Sequence, residues 1–181
     1  MYSYGPPAHT PSRARKERKV AREMRVVGIT IDPATQSPIV VLRDVEGQNM
    51  LPIWIGILEA NAIAVGLENV KLPRPMTHDL FKNIMDRIGV RLLRIEVVDI
   101  RDNTYYAALH LESGGKTLVV DSRPSDAIAL AIRMDAPIFV HDVVIDKALR
   151  SVPGSGTADD KDKWLELLEK MNPEDFSKYK M

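Results

Sequence analysis

Five side chains able to do chemistry, Glu59, His78, Asp79, Asp121 and Asp126, fall at or just before points where the sequence predicts a helix to begin. Four carboxylates and an imidazole make an oxygen-rich set. Such sets suit Mg²⁺ or Mn²⁺, ions that phosphodiester hydrolysis uses to make hydroxide and to neutralise developing charge. Glu59, Asp79, Asp121 and Asp126 are therefore candidate metal ligands, and His78 a candidate acid–base group or further ligand. Two helix starts also carry Arg-Pro: Arg74-Pro75 ahead of Thr77, and Arg123-Pro124 ahead of Ser125. Helix N-termini offer unpaired backbone N–H groups and partial positive charge, and a neighbouring guanidinium adds a forked donor. Arg74, Thr77, Arg123 and Ser125 are thus candidate phosphate ligands.

Each of these residues also has a structural reading. Arg74 can pair with Asp79 and Arg123 with Asp126, both acids being favoured by the helix dipole, while Thr77 and Ser125 serve as caps. No spacing matches a recognised metal motif. The carboxylates repel a bare phosphate, though not one bridged by a metal. No Ser-His-Asp nucleophile and no glycine-rich phosphate loop is readable. His110 falls on the polar face of its strand, His141-Asp142 is a lesser candidate, and Tyr105 and Tyr106 read as one strand's core and surface residues rather than as a stacking pair.

The elements that position these residues follow from periodicity. Arg25–Asp32, Ile39–Arg43 and Met50–Ile57 read as strands, the third apolar on both faces and expected to be central. Glu59–Val70 reads as a helix. Thr77 starts another, whose stripe Leu80, Phe81, Ile84, Met85 and Ile88 is expected to be buried and whose C′ residue is Gly89. Val90–Ile100, Thr104–Glu112 and Lys116–Asp121 are strands. A helix from Asp126 to about Met134 follows, apolar on nearly every face and so expected to be buried. Pro137–Asp142 and Val144–Arg150 close the series as a strand and a short helix.

Shifting the chain by 65 residues superposes Asn61–Leu67 on Asp126–Ile132, so each half reads strand, strand, strand, helix. Such a unit leaves an apolar face open. Two of them pack on each other, which predicts an α+β domain with a mixed, largely antiparallel sheet and packed helices.

The flanks differ from this centre. Residues 1–24 hold six Arg or Lys against two Glu and read as a disordered basic tail, either a solvated leader or an arm that touches nucleic acid. Organised sequence begins at Arg25, which makes Met24 an alternative start of the chain. Residues 25–150 form the domain, 151–163 a linker, and 164–181 an amphipathic tail marked by Trp164, Leu165, Leu168 and Met171. Net charge is zero, so no global field draws in nucleic acid or membrane. The absence of Cys excludes disulfides and thiolate zinc sites and is compatible with a reducing cytoplasm. No apolar run is long enough to span a membrane.

Pro52-Ile-Trp-Ile-Gly56 with Glu59-Ala60, Arg74-Pro-Met-Thr-His-Asp79, Tyr105-Tyr-Ala107 and Asp121-Ser-Arg-Pro-Ser-Asp-Ala-Ile-Ala-Leu-Ala131 resemble the motifs of the bifunctional nuclease domain family. Bacterial members of that family were long known only as a domain of unknown function. The resemblance runs from about Met24 to Arg150, with Trp54 where the family usually has Ile. It implies an α+β fold, a homodimer and, for some members, cleavage of both DNA and RNA. Glu59, Arg74, Thr77, His78, Asp79, Asp121, Arg123, Ser125 and Asp126 are the polar residues of those motifs here. The expectation is a divalent-metal-assisted nuclease of little sequence preference. Its rival is a non-enzymatic dimeric module that binds an anionic ligand or a protein partner.

Overall fold

In the computed structural model, which describes residues 20–151, the β-branched runs become seven strands and the runs of helical spacing four helices. The chain runs β1 (Ala21–Ile31), β2 (Pro38–Asp44), β3 (Met50–Trp54), α1 (Ile57–Leu67), α2 (Thr77–Arg87), β4 (Val90–Arg101), β5 (Thr104–Ser113), β6 (Lys116–Ser122), α3 (Pro124–Met134), β7 (Ile138–His141) and α4 (Asp142–Ser151). The strands form one sheet in the order β3-β2-β1-β7-β4-β5-β6. Every pairing is antiparallel except β4 with β7. This is the α+β architecture that the alternating patterns predict.

The two halves of the repeat are the two three-stranded meanders, set on either side of β7, and α1 and α3 each follow the last strand of one meander. Their helices start at Ile57 and Pro124, so the gapless 65-residue shift misplaces the helix starts by two residues. The hairpins have the expected chemistry. Asp102-Asn103 and Gly114-Gly115 both lie at positive φ, as two-residue turns between right-twisted strands require.

Ile63, Ala127 and Ile128 from the helices meet Leu42, Leu51, Ile95, Val97 and Val140 from the sheet in one core. α3 is buried along most of its length, as its composition predicts. The Tyr105 hydroxyl donates to the Pro52 carbonyl at 3.4 Å, so β5 touches β3 although four strands separate them. The sheet is therefore strongly curled. Burial pushes the Tyr105 phenol up to about 12.

Three expectations are corrected. β3 is an edge strand, not a central one; Met50, Leu51, Pro52 and Ile53 are all buried because the curl covers both of its faces, and Pro52 tolerates an edge. Of the α2 stripe only Met85 is buried, while Leu80, Phe81, Ile84 and Ile88 are exposed. Periodicity shows that a helix has an apolar face but not what covers it. The basic tail is expected to run to residue 24, yet Ala21–Met24 pair with β7 and Met24 is in the core. The 151–163 linker beyond Ser151 and the 164–181 tail lie outside the described residues, as do residues 1–19.

On the sheet, Glu96 ties β4 to β5 and β7. Arg94 donates to its carboxylate at 2.7 Å, and the His141 and His110 imidazoles stand 3.0 and 3.2 Å from it. Burial pushes the Glu96 carboxyl up, but these partners outweigh burial and hold it below the usual range. A folded-state value below the unfolded one contributes stability above the ordinary pKa of 4.5, and that contribution is lost as pH falls through the folded value. Urea unfolding should therefore show a Glu96→Gln variant with a shallower loss of stability below about pH 4.5. Identical slopes for the two proteins would contradict this.

Candidate functional site

The three helices α1, α2 and α3 begin close together, each with an acid at its third position: Glu59, Asp79 and Asp126. α1 and α3 lie side by side and parallel. Arg123 at the start of α3 reaches Glu59 at the start of α1, and Arg133 near the end of α3 lies beside Gly66 near the end of α1. A side chain at Gly66 would run into that guanidinium, so glycine lets the two helices approach.

At the joint N-terminus the Arg123 guanidinium bridges two carboxylates. Its Nη1 donates to Glu59 Oε1 at 2.8 Å, its Nε to Asp126 Oδ2 at 2.8 Å, and its Nη2 to Asp126 Oδ1 at 3.2 Å. His78 Nε2 lies 3.2 Å from Asp126 Oδ1. Gly56 caps α1, and a Cβ there would collide with the Glu59 carboxylate, so that residue too serves the cluster. Burial pushes the Asp126 carboxyl up, but hydrogen bonds from Arg123 and His78 outweigh it and hold the group below the usual carboxylate range. The hydrogen bond with Asp126, then that with Glu59, pushes Arg123 up. Asp126 thus stays ionised at neutral pH and can orient and polarise the imidazole.

A second pair lies further along α3. Arg133, whose side chain is only 6% exposed, donates through Nε to Asp79 Oδ1 at 2.6 Å and through Nη1 to the Ala129 carbonyl at 3.0 Å. Its Nη2 is buried without a partner. Asp79 Oδ2 accepts the Met76 N–H at 2.9 Å, which closes the first turn of α2. Burial pushes Asp79 up, but Arg133 and the Met76 N–H hold it below the usual range.

The bifunctional nuclease domain model matches residues 40–153, a stretch that holds both clusters. The chain belongs to the bifunctional nuclease domain family. An uncharacterized protein of Mycobacterium tuberculosis H37Rv is 37% identical over 162 residues, which are 85% of this chain and 97% of that one. Bifunctional nuclease 1 of Oryza sativa subsp. japonica is 29% identical over 106 residues, and Bifunctional nuclease 2 of Arabidopsis thaliana 31% over 106. Each of these plant matches covers 56% of this chain but 32% of the plant protein, so the chain spans about a third of those relatives.

Within this family domain the structure joins four of the nine sequence candidates, Glu59, His78, Arg123 and Asp126, in one network. The expected Arg123–Asp126 pair forms, whereas the expected Arg74–Asp79 pair does not, because Arg133 takes Asp79 and leaves Arg74 exposed. Asp121 is exposed on β6 opposite Ala108, outside the network. Thr77 is not the cap of α2 but its first residue, Met76 being the cap. Ser125 is likewise not a cap: Arg123 holds that place with Pro124 next, and Ser125 is buried in the first turn. Arg133 and Gly56 are the participants that sequence reasoning missed. A base in the last turn of an apolar helix looks like a dipole partner, and no local signal says that it turns inward to another helix.

Among the described residues no three His, Asp or Glu side chains stand ready to hold a metal ion. The cation between Glu59 and Asp126 is the Arg123 guanidinium. The donor types suit Mg²⁺ or Mn²⁺, but an ion fits only where that guanidinium now sits.

Proposed function

We propose that the protein is a nuclease that hydrolyses the phosphodiester bonds of DNA and RNA with little sequence preference, acting as a homodimer in a reducing cytoplasm. The observation that carries this reading is the His78–Asp126 pair beside Arg123 at the shared N-termini of α1 and α3. The family relationship and the names of the plant relatives point the same way.

Arg123 is exposed, so its guanidinium can turn from the carboxylates to a phosphate, where the free N–H groups of the helix starts add to it. Arg74 and Thr77, exposed at the start of α2, extend the same anion-binding rim. His78, held by Asp126, takes a proton from water as its oxygen bonds to phosphorus, and returns a proton to the oxygen that leaves. Binding through backbone charge, with no base contact, accounts for the low sequence preference.

The charge balance favours a divalent ion as part of this proposal. With a neutral imidazole, two carboxylates and one guanidinium leave the cluster at minus one, and a phosphodiester adds another negative charge. Mg²⁺ or Mn²⁺ at Glu59 and Asp126 would reverse that sign and supply hydroxide from bound water. Asp79 supports the site through Arg133 and α2.

The test is cleavage of single-stranded DNA and RNA by full-length protein freed of other nucleases, with Mg²⁺, with Mn²⁺ and with chelator. Activity should need the ion and should fall in Asp126→Asn. Equal cleavage by wild type and Asp126→Asn would overturn the assignment. The rival reading, a binding module without turnover, draws on one observation: Arg123 already satisfies both carboxylates. Saturable binding of oligonucleotide or phosphate with no product would favour it.

A further inference from the structure

Seven of the domain's exposed large apolar side chains lie on two elements. On α2 and its C-cap, Leu80, Phe81, Ile84 and Ile88 are 51%, 51%, 48% and 65% exposed; on β6, Leu118, Val119 and Val120 are 49%, 62% and 43% exposed. Leu118 and Val120 pair across the ladder with Leu111 and Leu109, which face the core, so both lie on the helix-covered side of the sheet, where α2 also packs. Val119 alternates to the other face; if each of the remaining six presents roughly 150–200 Å² when fully exposed, their open fractions amount to about 500 Å². Patches of that size on a soluble protein mark interaction surfaces.

The two sheet edges are treated differently. β3 is five residues long and carries Pro52 at its centre, both of which blunt an edge. β6 is seven residues long, with a central Leu-Val-Val and no proline, and its charges, Lys116 and Asp121, lie toward its two ends. An open edge of that kind is a template for another strand.

We infer that the β6 edge and the apolar face of α2 are the surface on which a second copy of this chain docks, with the two β6 strands antiparallel about a two-fold axis at Val119. That register sets Leu118 of one copy opposite Val120 of the other, on the helix side, and Val119 opposite Val119. No like charges then face each other: Thr117 meets Asp121, and Lys116 meets Ser122. Together with Val119 at the paired edge and a polar rim, this apolar area approaches the roughly 800 Å² per partner of a standard interface. The inference rests on the homodimer of the proposed function and assigns its surface. It also bears on the site. α2 carries His78 and Asp79 yet, among the described residues, buries only Met85, and so short a helix is marginal without packing. The second copy supplies that packing and holds the start of α2 in place.

The cysteine-free sequence allows a direct test. In full-length protein, Val119→Cys should form a cross-linked dimer under mild oxidation at micromolar concentration, because directly opposed strand residues lie within disulfide reach. Val45→Cys, on the β2–β3 turn, should not. By light scattering, wild type should have twice the chain mass of 20.3 kDa, and Ile84→Glu and Val119→Lys should shift it to one chain mass with circular dichroism unchanged. Hydrogen exchange at the start of α2 should rise at least tenfold in Ile84→Glu. A dimer that survives both variants without a Val119→Cys cross-link would leave the homodimer standing and overturn this surface. A monomer at every concentration, as expected if another part of the chain or another protein covers α2, would overturn both.

Discussion

Replacing His78 by alanine is expected to lower the rate of phosphodiester cleavage by about 10²–10⁴-fold, the usual contribution of a positioned acid–base group. Folding should be little affected. The side chain makes one hydrogen bond, to Asp126, and losing it costs about 1 kcal/mol. The loss should therefore appear in kcat, in steady-state cleavage of a labelled oligonucleotide, with thermal unfolding nearly unchanged. Asp126→Asn should show the same pattern, since an amide neither favours the imidazolium nor holds the ring in the same tautomer. Full activity in His78→Ala would remove the imidazole from the reaction and leave the cluster as a capping network.

Asp79→Ala should behave in the opposite way, as a stability variant. It leaves the buried Arg133 guanidinium with one carbonyl and no counter-charge. Removing one partner of a fully buried pair costs about 3–5 kcal/mol, and the partial exposure of Asp79 lowers that to roughly 2–4 kcal/mol. At about 2–4 °C per kcal/mol for a chain of this size, Tm should fall by roughly 4–16 °C. The double variant Asp79→Ala/Arg133→Met should regain most of the loss, because it removes the stranded charge along with its partner. A single variant that melts within about 2 °C of wild type would show that water already serves that guanidinium. His78 and Asp79 are neighbours in sequence, yet a different residue of α3 gives each its role.

The contrast follows from how each feature is encoded. Strand and helix identity depends on local spacing, so the two meanders, the buried α3 and the Gly89 C′ residue at positive φ were all legible from residue types alone. The repeat was legible because both copies bury the same face, and their packing on either side of β7 accounts for the mixed sheet. The bringing together of Glu59, Arg123, Asp126 and His78 was suggested by three separate polar motifs, each at a helix start. It is realised because α1 and α3 run parallel, which sets their N-termini side by side.

The tertiary structure alone decided the rest. Whether Asp79 pairs with Arg74 or Arg133 depends on which guanidinium the packing of α2 against α3 brings near, 54 positions along the chain in the case realised. Whether Asp121 joins the acids depends on the end of β6, where the strand turns its side chain away from the cluster. Whether the α2 stripe faces the core depends on how much of the sheet α1 and α3 already cover. Hydrophobic periodicity specifies that a face must be covered, because apolar area is costly in water whatever covers it. It does not name the covering surface. The polar residues of this chain were legible as candidates for the same reason that their partners were not: charge and hydrogen-bonding capacity are properties of a residue, whereas satisfaction is a property of the fold.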